Sequence, residues 1–292
     1  VEEPPVHARA LFVLGAPRSG TTVIGSYLAS GGRVLNLGEY GGFHLAHNIA
    51  PATLGAMPGP YRGQYLDDLV DHARRFAEEQ ASSQGRQWYC DTTPWNLLVA
   101  DRIAAELPDA LFVLMLRHYS GTVQSLRRSF ESGFAWAGAT WAESAQIWAH
   151  FYSSVGRVPA NRTIAVSYDA LTDDPDAVLT LLRAWLDEQG YPADDLDVSQ
   201  LAVSHAPPSS GPRPTIGARG MRGVELRPIS SFDPERWSDD VHRTVWPVVE
   251  GVHRDLTARF PNVYVWPMPP AELLSVGPAD IAPAAMEADL TW

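Results

Sequence analysis

The residues with the clearest capacity for chemistry are Gly15-Ala16-Pro17-Arg18-Ser19-Gly20-Thr21-Thr22, which join a short apolar run to a helical pattern. A loop of this kind curls so that successive N–H groups and the helix N-terminus face an anion. Gly15 and Gly20 have the glycine-four-glycine spacing of a phosphate-binding P-loop. In enzymes of ATP or GTP the next residue is Lys, which reaches the outer phosphates; here it is Thr21. That difference speaks against a nucleoside triphosphate, and Arg18 can supply the positive charge instead. All 22 basic residues of the chain are Arg. A mechanism that needs a lysine ammonium is therefore excluded, and any phosphate is met by planar guanidinium forks.

Pro17 to Thr22, following an apolar strand, resembles the 5′-phosphosulfate loop of sulfotransferases that use 3′-phosphoadenosine 5′-phosphosulfate (PAPS). It is most similar to the branch containing the tyrosylprotein and carbohydrate enzymes. The resemblance implies that Arg18, Ser19, Gly20, Thr21 and Thr22 hold the 5′-phosphosulfate. A second segment is similar to the same family's 3′-phosphate site: the apolar run Leu111 to Leu116, then Arg117, then Ser125 eight residues later. A guanidinium and a hydroxyl together satisfy a phosphate through charge-assisted hydrogen bonds. Val166-Ser167-Tyr168-Asp169-Ala170-Leu171 resembles a stretch whose tyrosine lies near the nucleotide, with Ser167 where the family has Arg. The loop bearing Arg213, Arg219, Arg222 and Arg227 resembles the late loop that closes over the 3′-phosphate, and Arg219 and Arg222 are its candidates.

Sulfo transfer is an in-line displacement in which an acceptor oxygen attacks sulfur, and positioning and charge stabilisation dominate it. A hydroxyl acceptor needs a base. The resemblance points to Glu39, 21 residues after Arg18, with His44 or His47 as the base if Glu39 is not. In Asp91-Thr92-Thr93-Pro94-Trp95 the family often has Lys before the Thr-Pro, where it stabilises the leaving group; this chain has Thr92. Tyr40, Phe43, Phe130, Phe134, Trp136 and Trp141 fall in the segments expected to shape the acceptor site, and an aromatic lining suits a small apolar or aromatic molecule. No His/Cys/Asp/Glu set has metal-ligand spacing, so no metal is expected. Two alternatives stay open: a sulfotransferase fold that has lost sulfo transfer, and a domain whose acceptor is presented by a carrier or partner.

The elements that must position these residues read as strands alternating with helices. Ala10–Leu14, Trp88–Cys90, Leu111–Leu116 and Thr163–Val166 are short apolar runs of the kind buried in a parallel sheet. Helices are expected over 21–29, 62–82, 96–107, 120–130, 141–155, 175–188 and 238–260, with Asp173 or Asp174 capping the sixth. Val263–Val265 reads as a late edge strand. The pattern predicts an α/β fold of three layers, α/β/α, with a central parallel sheet of the P-loop nucleotide-binding type. In such sheets ligands sit at the C-terminal strand ends. Residues 1–9 read as an extension, 10–266 as the sulfotransferase domain with lid or substrate loops at 33–61 and 203–235, and 267–292 as a tail.

Composition narrows the partners. A net charge of −12 disfavours long-range attraction to nucleic acid or anionic lipid. No run approaches the roughly 20 apolar residues of a membrane helix. A single cysteine, Cys90, and the lack of a signal-peptide pattern fit a cytoplasmic protein. The expected partner is a small-molecule hydroxyl acceptor.

Overall fold

The computed structural model describes residues 8–48, 54–55, 57–196, 201–203, 224–226 and 237–264. Five parallel strands form the central sheet: β1 (Arg9–Leu14), β2 (Val34–Gly38), β3 (Trp88–Asp91), β4 (Leu111–Leu116) and β5 (Thr163–Ser167). Their order across the sheet is β2-β3-β1-β4-β5, which puts the two strands carrying the phosphate motifs side by side. Leu11 to Leu14 pair in register with Leu111 to Leu114. Two more short strands, β6 (Leu201–Val203) and β7 (Val224–Leu226), pair in parallel with each other.

Alternation along these strands builds two cores. Phe12 and Leu14 of β1 and Phe112, Leu114 and Leu116 of β4 point to one face. Leu11 and Val13, with Leu111, Val113 and Met115, point to the other. Because both faces are covered, the strands are apolar throughout rather than half polar. The second face is covered by α1 (Thr21–Leu28) and α8 (Pro175–Glu188), through Val23, Ile24, Leu28, Leu179, Leu182 and Leu186. The first is covered by α3 (Gly59–Ser83), α5 (Tyr119–Glu131), α6 (Trp141–Tyr152) and α9 (Asp239–Arg259). The helix after β1 thus lies on one face and the helix after β4 on the other. The crevice between these two strand ends is a topological switch point, the place where open α/β sheets bind ligands.

The fold class is the one expected, and most boundaries agree within three residues. Asp174 caps α8, its carboxylate accepting from the Ala177 N–H. The expected helix 96–107 begins as a 3-10 turn, Pro94–Val99, before α4 (Ala100–Glu106). Residues 33–61 differ from the long loop expected. They contain β2, the six-residue helix α2 (Gly42–His47) and the start of α3. A five-residue edge strand and a helix of under two turns are too short to carry a period. The expected edge strand at 263–265 is also corrected. Val263 and Tyr264 close a turn onto the carbonyl of Phe260, because the Tyr264 ring is buried against His253, 5.5 Å between centroids; Val265 lies outside the described residues. The residues expected as a tail, 267–292, and most of the 203–235 loop lie outside them too. No helix among the described residues is long and apolar enough to cross a membrane.

The central pairing sets a stability prediction. Leu114→Ala, which empties a fully buried site on β4, is expected to cost about 2–5 kcal/mol by denaturant titration. Leu181→Ala on α8, where the side chain is 69 % exposed, is expected to change stability by less than about 0.5 kcal/mol.

Candidate functional site

The loop after β1 is shaped by close approach and by one strained residue. A Cβ on Gly15 would strike the Ser19 hydroxyl and come within 2.9 Å of the Met115 carbonyl oxygen. Gly20, at φ 101°, is the N-cap of α1 and has no side-chain cap; a Cβ there would strike the Tyr168 ring. Val23 and Ile24 N–H both donate to the Gly20 carbonyl at 3.1 Å, which leaves the N–H groups of Thr21 and Thr22 with no capping side chain and no acceptor further back in the helix, as an anion site requires. Between the glycines, Arg18 is at φ 72°, the one non-glycine residue with positive φ among those described. That conformation is costly for a side chain of this size and persists only when its surroundings fix it. Arg117 supplies part of that constraint: its Nη1 donates to the Arg18 carbonyl over 2.7 Å.

Arg117, at the end of β4, is held from four directions. Its N–H donates to the Tyr152 hydroxyl at 3.1 Å, and its carbonyl accepts from Trp148 Nε1 at 3.2 Å. Its guanidinium lies over the Tyr168 ring, 4.3 Å from the centroid. The Tyr152 hydroxyl also donates to the Met115 carbonyl at 2.9 Å. Ser125 comes back toward the loop on α5, where its Oγ accepts from Arg18 Nε at 3.1 Å. Arg18, Arg117, Ser125 and Tyr168 are thus one connected group across the β1–β4 crevice. Next to it, the His118 N–H donates to Asp169 Oδ2 at 2.9 Å, tying the end of β4 to α7 (Tyr168–Asp173).

Glu39 stands at the turn after β2, and the end of β3 holds that turn. Thr92 N–H donates to the Gly38 carbonyl and Gly41 N–H donates to Thr93 Oγ1, each over 2.9 Å. Asp91 is fully buried and accepts from the Thr93 N–H at 2.8 Å. The Glu39 carboxylate is open to solvent on one side, yet crowding by the protein raises its pKa above the usual carboxylate value; the Arg18 cation opposes this rise and the Asp91 charge adds to it. Arg18 and Glu39 therefore feel each other across the same crevice. His44 is buried in α2, its Nε2 3.3 Å from Asn48 Nδ2, and burial lowers its pKa; burial lowers that of His47 too.

The six aromatic residues expected at the acceptor side separate. Phe43 is core, edge-on to Phe12 at 5.1 Å. Trp141 packs on Trp237 at 5.5 Å, and Arg127 lies over the Phe130 ring at 5.4 Å. Tyr40 stacks on Phe76 at 5.3 Å beside Glu39. Trp136 joins exposed Phe134 to Trp95, with centroids 6.2 and 6.0 Å apart. Arg219 and Arg222, with Arg213 and Arg227, lie outside the described residues. Sequence reasoning did not single out Trp148 and Tyr152. Their four-residue spacing on one helix face is the signal, but it is the same signal given by ordinary core residues.

A profile described as the sulfotransferase family matches residues 10–192, from β1 to beyond α8. The chain belongs to the sulfotransferase family. No curated protein matches it in sequence. Among solved structures, it is similar to a sulfotransferase from Alicyclobacillus acidocaldarius, with 14 % identity, 89 % of this chain and 97 % of that chain covered and a TM-score of 0.50. It also matches the sulfotransferase domain from the curacin biosynthetic pathway, with 16 % identity, 62 % and 74 % covered and a TM-score of 0.44. The sulfotransferase domain of the olefin synthase from Synechococcus PCC 7002 matches at 18 % identity, 63 % and 76 % covered, with a TM-score of 0.39.

For a sulfotransferase the position before Thr93-Pro94 is informative. Thr92 is buried, and its methyl group fills the space that a Cβ on Gly25 of α1 would occupy. The position is a packing contact between β3 and α1. Among the described residues no group of three His, Cys, Asp or Glu side chains could hold a metal ion.

The charge pair across the crevice yields a measurable sign. Arg18 favours the ionised form of Glu39, so Arg18→Ala is expected to move the Glu39 carboxyl titration to higher pH. Carboxyl-carbon NMR, with Glu39→Gln assigning the resonance, measures it; an unchanged or lower midpoint would separate the two residues electrostatically.

Proposed function

We propose that this sulfotransferase is a cytoplasmic enzyme that moves a sulfo group from PAPS to a hydroxyl of a small-molecule acceptor, with Glu39 as the base. The observation that carries the reading is the connected group of Arg18, Arg117 and Ser125 at the mouth of an uncapped helix N-terminus. The residues fit a donor with two separated phosphate groups. The Gly15–Gly20 loop leaves no room for Cβ atoms where its backbone turns, and its N–H groups suit the 5′-phosphosulfate. Arg117 and Ser125, at the other end of the connection, supply a cation and a hydroxyl for the 3′-phosphate. Bound there, PAPS supplies an activated sulfo group whose bond to the 5′-phosphate breaks as the acceptor attacks.

The chain's own residues then have distinct tasks. Arg18 and the α1 N–H groups balance charge that gathers on the 5′-phosphate. With Thr92 packed against α1, Arg18 takes over the charge that the missing lysine would carry. Glu39 accepts the acceptor proton as the oxygen–sulfur bond forms, and its raised pKa brings it closer to the proton affinity that general-base work at neutral pH needs. Tyr40 and Phe76, stacked beside it, offer an apolar wall to the acceptor.

Calorimetric titration with 3′-phosphoadenosine 5′-phosphate (PAP) tests the donor site. Micromolar binding is expected for the wild type, with at least a tenfold loss in Arg117→Ala; no binding by a folded wild type would end the PAPS reading. For the base, Glu39→Gln is expected to lower kcat roughly 100-fold or more and to leave PAP affinity within about twofold. Full turnover in that variant would move the role to another residue, His44 first.

A further inference from the structure

Asp91 is a buried carboxyl that the donor site does not use. It ends β3, paired on one side with Phe12 of β1 and on the other with Gly38 of β2, and it is fully buried. Side chains alternate along a strand, so Asp91 shares the face of Tyr89, toward the apolar core that also holds Phe12 and Phe43. A carboxylate there is costly unless it is bonded. Its Oδ1 accepts from the Thr93 N–H at 2.8 Å, and among the described residues none completes a hydrogen bond to Oδ2. Thr93 passes the hold on, because its Oγ1 accepts from the Gly41 N–H at 2.9 Å. One strand over, β2 slips against β3 between Asn36 and Gly38. Asn36 Oδ1 accepts from the Gly38 N–H at 2.8 Å, and Gly38 takes φ 63°. A bulge of this kind re-aims the chain that follows it, and the next residue is Glu39. The Glu39 turn is thus fixed on its near side by Gly38, whose carbonyl accepts from the Thr92 N–H. On its far side it is fixed by the chain Asp91–Thr93–Gly41.

We infer that Asp91 is a positioning residue for Glu39: through Thr93 it clamps the turn that holds Glu39 across the crevice from Arg18, and its own negative charge acts on the Glu39 carboxyl. This role rests on the reading of Glu39 as the base. The groups around Glu39 fit it. Crowding by the protein raises the Glu39 pKa, the Arg18 cation from the loop after β1 opposes the rise, and Asp91 from β3 adds to it. Tyr40, on the same turn, is raised by burial and again by Asp91, so a second group feels the same charge. From α2, burial holds His44 toward its neutral form. From α3, Arg74 and Glu78 pair with each other at 3.5 Å and act on Tyr89. Burial raises the pKa of Asp91 itself, while Thr93, Asn96 and the Tyr40 N–H favour its anion.

Carboxyl-carbon NMR on the full chain, with Glu39→Gln assigning the resonance, reads the effect without donor or acceptor. Asp91→Asn keeps an oxygen for the Thr93 N–H and removes the charge, so the Glu39 midpoint is expected to move to lower pH. Thr93→Val keeps the shape of the side chain and removes the acceptor for the Gly41 N–H. In that background the upward step that Arg18→Ala produces in the Glu39 midpoint is expected to shrink, and in Thr93→Ser, which keeps the hydroxyl, to return. PAP affinity by calorimetry is expected to stay within about twofold in Thr93→Val, since no donor contact is touched. An unchanged or higher Glu39 midpoint in Asp91→Asn overturns the inference. A full-sized Arg18 step in Thr93→Val overturns it as well, whether or not Asp91→Asn folds. Loss of PAP affinity by about tenfold in Thr93→Val would mean that the clamp supports the whole crevice rather than Glu39, and overturns it too. A folded wild type that binds no PAP removes the PAPS reading alone, and the Glu39 titrations then decide this inference by themselves.

Discussion

Pairing of Leu11–Leu14 with Leu111–Leu114 brings the C-terminal ends of β1 and β4 together, and the geometry of the site follows from that contact. With no Cβ on Gly15, the Met115 backbone approaches the loop closely. At the same end of β4 one hydroxyl, that of Tyr152, donates to the Met115 carbonyl and accepts from the Arg117 N–H. Period-2 alternation sends Phe12 and Leu14 to one core and Leu11 and Val13 to the other. The helix after β1 packs on the second of these cores and the helix after β4 on the first, which opens the crevice between the two strand ends. A slip of one residue in this register would exchange the two faces and separate Arg117 from Arg18.

The crevice orients each of its two arginines through hydrogen bonds and stacking. Arg117 is gripped through its backbone by Trp148 and Tyr152 and through its side chain by Tyr168 and the Arg18 carbonyl. Arg18 is gripped through its carbonyl by Arg117 and through Nε by Ser125. These bonds hold two like charges close together before any anion is present. The repulsion they tolerate is the counterpart of the attraction an anion would receive, which is how a preorganised site concentrates its interaction on the bound charge.

The parts of this arrangement legible in the sequence are those in which a local pattern has one physical meaning. Leu111–Leu116 is apolar at every position and ends at Arg117 because both of its faces are buried. The Gly15–Thr22 loop is legible because two glycines are fixed by close approach to Ser19 and Tyr168. β2 and α2 were hidden because a partly exposed edge strand of five residues and a helix of six have no room to repeat. Tyr152 and Trp148 were hidden for another reason. Their partners are backbone atoms at the end of β4, more than 30 positions away, and an aromatic pair at helical spacing looks the same whether it fills a core or orients an arginine. Asp91 lies between these cases. Its bond to the N–H two residues on is a local turn that the sequence Asp-Thr-Thr-Pro permits, but its charge on Glu39 depends on how β2 pairs with β3.

A chain with a net charge of −12 and no lysine places a particular demand on such a site. The overall field repels any multiply anionic ligand, so affinity for one must come from short, directional contacts that salt screens little. Arginine suits this role, since its planar fork loses less freedom per hydrogen bond than a lysine stem and can be aimed by stacking and by carbonyls. Much of the basic set is used elsewhere in the same way: Arg162 donates to carbonyls of Leu107, Pro108 and Ala110 and Arg157 to that of Leu98, so these cations fasten chain segments. What distinguishes Arg18 and Arg117 is their position at the switch point. There the helix N-terminus adds a partial positive charge of its own, and the pairing of β1 with β4 keeps the two arginines in contact, Arg117 Nη1 on the Arg18 carbonyl.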